Sequence, residues 1–168
     1  DGDTFTCLDD CDDGLSSVYP GAPQVCDGLN NDCTTAGWPA LGGTNEADMD
    51  GDTLTSCGGD CDDGDPGLQG IPGEVGTLSL TDADTLGWLP PADPGGTVLA
   101  YDTVRAGEPD LAGATCVEAG GTDAATTDVE LPAAGSAFHY LVRAANGCGS
   151  GSLGRRSDGQ ERTAGPCP

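Results

Sequence analysis

Three aspartates at alternate positions, Asp48, Asp50 and Asp52, with Gly51 among them, crowd carboxylates that repel one another in water. A hard cation removes that repulsion. Calcium takes six to eight oxygens at about 2.3 to 2.6 Å, and an Asp-x-Asp-x-Asp loop supplies them by curling round the ion, with a backbone carbonyl two residues on as a further ligand. That carbonyl belongs to Leu54. Gly59 stands where a closing glutamate is expected in a helix-flanked calcium loop, so Asp60, Asp62 or Asp63 must close the site instead. Magnesium fits less well, because it dehydrates reluctantly and prefers few carboxylates plus water. Zinc, copper and iron favour imidazole or thiolate, and the single histidine, His139, is far along the chain.

The same chemistry occurs twice. Asp1-Gly2-Asp3-Thr4-Phe5-Thr6 recurs as Asp50-Gly51-Asp52-Thr53-Leu54-Thr55, and Asp10-Cys11-Asp12-Asp13-Gly14 recurs as Asp60-Cys61-Asp62-Asp63-Gly64. The first copy therefore offers Asp1, Asp3, the Phe5 carbonyl, Asp10, Asp12 and Asp13. It lacks the acid two places before Asp1, and because the chain starts inside its own motif it reads as a segment of a longer polypeptide. Between the copies, Pro20-Gly21-Ala22-Pro23 leads into Cys26-Asp27-Gly28-Leu29-Asn30-Asn31-Asp32-Cys33, where carboxylate and carboxamide oxygens are again spaced by glycine and closed by cysteines.

These blocks, in this order over residues 1–66, resemble the MopE-type metal-binding repeat of secreted and surface bacterial proteins, itself similar in logic to thrombospondin type 3 calcium repeats. By position, the resemblance implies metal contacts from Asp48, Asp50, Asp52, Asp60 and Asp63, and from Asp1, Asp3, Asp10, Asp13, Asp27, Asn30 and Asp32. The family name mentions copper, but the all-oxygen loops favour calcium. Thr34-Thr35 replaces the Asp-Gly usual in the family, and Glu46 is the acid that restores the missing charge.

Composition places these loops in a particular kind of chain. Among 168 residues, 29 acids face 5 bases, all arginine, for a formal charge of −24. That charge excludes a nucleic-acid binder, which gains affinity by neutralising phosphates, and argues against anionic lipid. No apolar run is long enough for direct membrane insertion as a helix. Residues 1–70 hold 16 acids, no base and six of the nine cysteines, whereas all five arginines lie in 71–168. The Pro- and Gly-rich stretch at 65–73 separates the two, predicting a domain 1–70 of acidic calcium-binding repeats and a domain 71–168. Nine cysteines in a Lys-free, Gly-rich chain point to an oxidising, extracellular or cell-surface setting, where disulfides substitute for a core this composition cannot build. In a reducing cell, Cys7-x-x-x-Cys11 and Cys57-x-x-x-Cys61 would instead be thiolate ligands. The truncated second copy makes local pairing simplest: Cys57 with Cys61, by repetition Cys7 with Cys11, and Cys26 with Cys33. Cys116 with Cys167 would fasten the C-terminal tail, leaving Cys148 as the spare thiol.

Strand-like runs at 75–80, 85–89, 98–105, 126–131, 138–144 and near 153–156 are spaced by turn signals, which predicts a two-sheet sandwich. Phe138, Tyr140, Val142 and Ala144 alternate with His139, Leu141 and Arg143, the period of a half-buried strand. Trp88 is the expected buried tryptophan of an early strand. Trp88-Leu89-Pro90-Pro91 and Tyr140-Leu141-Val142-Arg143-Ala144-Ala145-Asn146 resemble the tryptophan and tyrosine strands of a fibronectin type III-like domain, over about 71–160. Arg155, Arg156 and Arg162 form the one basic cluster, which meets either a neighbouring subunit's acidic repeat or Asp158 and Glu161 of its own chain. The fold class expected is thus mainly β plus irregular: a disulfide-bonded calcium-loop array followed by a fibronectin type III-like β-sandwich. The function expected is non-enzymatic, a calcium-stabilised structural module of a surface fibre, appendage or adhesin, with self-assembly into a homopolymer among its possible partners. The rival reading is a carbohydrate-binding accessory module of a larger secreted enzyme, with Trp38 and Trp88 as the contact residues.

Overall fold

The computed structural model describes residues 2–6, 8–97, 99–163 and 167. The chain divides into two compact units, 1–69 and 70–168.

The first unit has almost no regular structure. Its one element among the described residues is a 3-10 turn, Ser56–Gly58, capped by the Thr55 hydroxyl on the Gly58 amide and ended by Gly59 in a left-handed conformation. Among the described residues, its buried apolar side chains are Val18 and Ala22, outnumbered by buried Asn30, Asn31, Thr44 and Asp60. Carboxamides do the work that aliphatic side chains do elsewhere. Asn31, fully buried, accepts from the Val25 amide (3.0 Å) and donates to Asp27 Oδ2 (3.1 Å). Gln24 donates to Asn30 Oδ1 and accepts from the Asn31 amide, while a parallel bridge joins Tyr19 to Asp32.

This network folds the central segment back on itself, and the cysteine pairing follows from it. Cys11 pairs with Cys33 and Cys26 with Cys57. The expected local pairs Cys7–Cys11, Cys26–Cys33 and Cys57–Cys61 are therefore corrected, although Cys7 itself lies outside the described residues. Cys57 reaches the central segment because its amide donates to Asn45 O (2.9 Å), across the turn that separates the second copy from the middle. Bridges spanning 22 and 31 residues each remove about 3 to 4 kcal/mol of unfolded-chain entropy, more than a four-residue loop can. Cys61 and Cys148 are disulfide-bonded as well, so the expectation of a spare thiol at Cys148 is also corrected.

The second unit is a β-sandwich. One sheet has the order β1-β2-β5 (Leu78–Leu80, Thr85–Trp88, Ala125–Thr127). The other has the order β4-β3-β6-β7 (Thr115–Gly121, Ala100–Ala106, His139–Asn146, Gly149–Ser150). Neighbours pair antiparallel throughout. Leu86 and Trp88 from one sheet meet Tyr101, Val142 and Ala144 from the other, with the Trp88 and Tyr101 rings edge-on at 5.4 Å. The alternation read along β6 holds: Val142 and Ala144 are buried in this core, and Leu141 turns to the opposite face. On that outer face Val104, which pairs with Cys116, packs with Leu153 and Cys167. The Cys116–Cys167 bridge thus pins the tail to the outside of the sheet, as expected. β4 was not foreseen, and one expectation fails: the run near 153–156 forms no strand, only an Arg155–Glu161 bridge, because Leu153 packs with Val104 and Cys167 and Gly154 turns at φ +84°.

One end of the sandwich holds a charged cluster. Arg105 donates to both oxygens of Asp128 (2.9 and 2.7 Å) and to Glu130 (2.6 Å), beneath the Phe138 ring at 4.3 Å. Tyr140 OH also donates to Asp128. Burial works to raise the Asp128 carboxyl, but the Glu130 amide, Arg105 and Tyr140 outweigh it and hold the group below the usual carboxylate range.

Candidate metal centre

Three aspartates of the second copy are each held by the chain immediately after them. Asp50 Oδ1 accepts from the Asp52 amide (3.1 Å), Asp52 Oδ1 from the Leu54 amide (2.8 Å), and Asp60 Oδ1 from the Asp62 amide (3.0 Å). This local turn fixes one oxygen and leaves the other to point elsewhere. The second oxygens of Asp50, Asp52 and Asp60 are buried and accept no hydrogen bond. Asp60 is only 6 % exposed. One carboxylate oxygen from each of the three lies within 4.8 Å of the other two. Burying carboxylate oxygens with no donor is costly, and an anion cannot offset that cost; a cation placed among them does.

The backbone is shaped for this convergence. Gly51 and Thr53 both have positive φ (88° and 80°), and the equivalent Gly2 and Thr4 match them (99° and 83°), so both copies carry the same curl. A β-branched residue at such a φ is strained, so the surrounding loop must impose the conformation. Electrostatics agrees with the geometry. Burial pushes the Asp50 carboxyl above its ordinary value, the Asp52 amide opposes this, and the Asp52, Asp60 and Asp48 charges push it further up.

Asp48, Asp50 and Asp63 form a second such group, with Asp50 common to both. Here the oxygens are more occupied: Asp48 accepts from the Gly51 and Thr53 amides, and Asp63 from the Met49 amide (3.1 Å). Among the described residues, the remaining candidates are not brought together in this way. Asp3 Oδ1 accepts from the Phe5 amide, Asp10 from Asp12, Asp12 from Gly14 and Asp62 from Gly64. Asp13 is exposed, Phe5 stacks on Tyr19 at 5.0 Å, and Asp1 lies outside the described residues.

The middle segment uses its oxygens differently. Both carboxylate oxygens of Glu46 accept backbone amides, from Asp27 (2.7 Å) and Gly28 (2.6 Å). Asn30 donates to Thr35 Oγ1 and Ala40 O, and its carbonyl receives the Trp38 indole N–H (2.9 Å). Asp32 Oδ1 accepts from Thr34 and Gly21, and these bonds, the Thr34 hydroxyl first, hold its carboxyl below the usual range. Asn31 and Gln24, which sequence reasoning passed over, are the centre of this network; the signal for them was a run of carboxamides, which can donate as well as accept.

Of the comparisons with known proteins, one bears on the first unit. Residues 10–35 and 60–68 match the family Cu-binding MopE, described as "Putative metal-binding motif". The MopE match includes Asp60 and Asp63, and the first matched stretch covers the carboxamide knot. A comparison with curated proteins gives no significant match. Among solved structures, "Titin kinase and its flanking domains" is 20% identical with a TM-score of 0.40, over 48% of this chain and 15% of that one. "Crystal structure of domains A168-A170 from titin" is 20% identical with a TM-score of 0.41, over 49% of this chain and 29% of that one. The chain thus spans less than a third of either. The MopE motif and the acidic groups together point to a metal ion in the first unit.

Proposed function

We propose that the first unit binds calcium and that the ion is structural: the chain is a non-enzymatic, calcium-stabilised module of an extracellular or cell-surface polypeptide such as a fibre, appendage or adhesin. One observation carries this reading. The carboxylates of Asp50, Asp52 and Asp60 converge, and each carries a buried oxygen that no protein donor satisfies. An all-carboxylate oxygen set suits calcium, which completes its shell with main-chain carbonyls and water. A unit that buries two small apolar side chains cannot offset chain ordering by hydrophobic burial, so ion binding and folding are coupled. The disulfides support an oxidising compartment.

Elemental assay of the purified chain, followed by protease mapping with and without chelator, tests the proposal. Stoichiometric calcium is expected, with chelation exposing cleavage sites in 1–69 and sparing the sandwich. Absence of any divalent metal, with identical cleavage in both conditions, would overturn it.

A further inference from the structure

The end of the sandwich that holds the Arg105 cluster is concave. There residues 128–138 cross from β5 in one sheet to β6 in the other, and the Asp128 amide donates to Asp84 O (2.8 Å), tying the crossing to the turn between β1 and β2. Turn and crossing border a cavity of 290 Å³, with Leu80, Leu86, Leu131, Pro132 and Phe138 on its lining. Leu86 belongs to the core, so the cavity reaches between the sheets. Leu80 and Leu131 are 64 % and 81 % exposed. A concave apolar wall flanked by large apolar side chains left in water marks a surface shaped for a ligand.

The charge on this wall has one sign. Asp84, Asp128 and Glu130 line the cavity, and neither His139 nor any of the five arginines does. Arg105 lies outside the lining but pairs with Asp128 and Glu130, so three carboxylates against one guanidinium leave a net charge of −2. Asp128 is fully engaged, because Arg105, the Tyr140 hydroxyl and the Glu130 amide all donate to it. Glu130, with its side chain 65 % exposed, and Asp84, whose Oδ1 takes a long bond from the Thr85 hydroxyl (3.4 Å), are the carboxylates a ligand can reach. Asp82, which accepts the Asp84 amide in the same turn, adds a further negative charge nearby. These acids are not arranged for a metal. Among the described residues, groups of three converging carboxylates occur in the first unit alone, and an apolar wall gives a hydrated ion nothing to replace its water. An organic ammonium suits both features: its apolar body displaces water from Leu80, Leu86 and Leu131 while its charged head stays at the wet rim.

We propose that this end of the sandwich binds a small hydrophobic amine in its protonated form, an arylalkyl- or alkylammonium ion whose head lies at Asp84 and Glu130. The 290 Å³ cavity has the volume of about ten waters, and the stem and head of a lysine side chain fill about half of it, so a free amine fits better than a partner's lysine. The site belongs to the second unit and does not rest on the metal proposed for the first. The net charge of −24 makes the apolar part of the argument the one to test hardest, since long-range electrostatics attracts any cation to this chain.

The experiment uses the whole chain, calcium-supplemented and isotope-labelled, titrated at neutral pH with phenethylamine and followed by nuclear magnetic resonance. Phenethyl alcohol is the neutral comparison, phenylpropionate the anionic one, ethylamine the cation without a ring, and acetyl-lysine methylamide the stand-in for a partner's side chain. Phenethylamine is expected to shift the amide resonances of Leu86, Ala137 and Tyr140 saturably, with a Kd of about a millimolar or below, and to bind roughly fivefold more tightly than the alcohol. Phenylpropionate and ethylamine should leave these resonances in place. Asp84→Asn should reduce the preference for amine over alcohol to about twofold, and Leu131→Asn should weaken both, with the spectrum of the remaining sheet unchanged in each variant. Shifts that do not saturate or that fall elsewhere, an alcohol that binds as tightly as the amine, or an ethylamine response equal to that of phenethylamine overturns the proposal. So does equal or tighter binding of acetyl-lysine methylamide, which would assign the cavity to a partner polypeptide.

Discussion

Replacing Asp60 by asparagine separates two opposite effects of one carboxylate. With calcium bound, Asp60 supplies charge to the ion; after chelation, the same charge repels its neighbours. One carboxylate oxygen of Asp52 lies within 4.8 Å of one of Asp60, a separation at which two unit charges repel by about 1 kcal/mol in a water-like surrounding and about 3.5 kcal/mol at an effective dielectric of 20. Asparagine keeps the shape and the Oδ1 acceptor that holds the Asp62 amide at 3.0 Å, but not the charge. In chelator, Asp60→Asn is therefore expected to be more stable than the parent by about 1 to 3 kcal/mol. Calcium at a hundred times its Kd stabilises the parent by about 2.7 kcal/mol, and should add far less to the variant. Hydrogen exchange of peptides covering 44–66, with chelator and with calcium, reads both. The reasoning is refuted if the variant is no better protected than the parent in chelator while its calcium response is intact.

Further outcomes follow from the rest of the structure. Asp128 is held below the usual carboxylate range, so its stabilising contribution is present above the ordinary value near pH 4 and lost as pH falls through the depressed one. The sandwich melting temperature should drop on acidification. Asp128→Asn should flatten that limb and cost about 3 kcal/mol at neutral pH, because Arg105 keeps only Glu130. Replacing both Cys26 and Cys57 by serine should lower the stability of the first unit by about 3 to 4 kcal/mol in denaturant titrations, and peptide mapping of the unreduced parent should recover the Cys26–Cys57 and Cys11–Cys33 links. Gly95 sits at φ +60° with Gly70 O 2.1 Å from an added Cβ, so Gly95→Ala should lose more than about 3 kcal/mol of sandwich stability by thermal melt; an unchanged melt would show that the backbone there yields.

What could be read in the sequence was what closes within a few residues. The turn that fixes Asp50, Asp52 and Asp60 spans two positions, so the aspartate spacing carries its own geometry. β6 and Trp88 announce themselves because one face is buried and the other is not. β4 is exposed or half-exposed along its length, with glycine at its end and a bulge against β3, so no apolar alternation marks it. Leu153 misled for the opposite reason, since its burial comes from a tail tied on by a disulfide fifty residues away from its partner and not from strand pairing.

The cysteine pairing was hidden by the same physics that ties Asn30 and Glu46 to the chain instead of to an ion. In a unit whose interior is largely Asn30, Asn31, Thr44 and Asp60, the path of the chain is set by which carboxamide or carboxylate meets which amide, a choice made between residues 6 to 19 apart. Once Glu46 has spent both oxygens on Asp27 and Gly28, it can bind metal only by releasing them, giving up two backbone hydrogen bonds for one ligand gained. Asp50, Asp52 and Asp60 face no such exchange, because each retains an oxygen with nothing to lose. Metal affinity in the first unit should therefore fall sharply on neutralising any of these three. Glu46→Gln should instead loosen the segment around Asp27 and leave calcium stoichiometry unchanged, a distinction that calorimetry and hydrogen exchange on the same two variants can read directly.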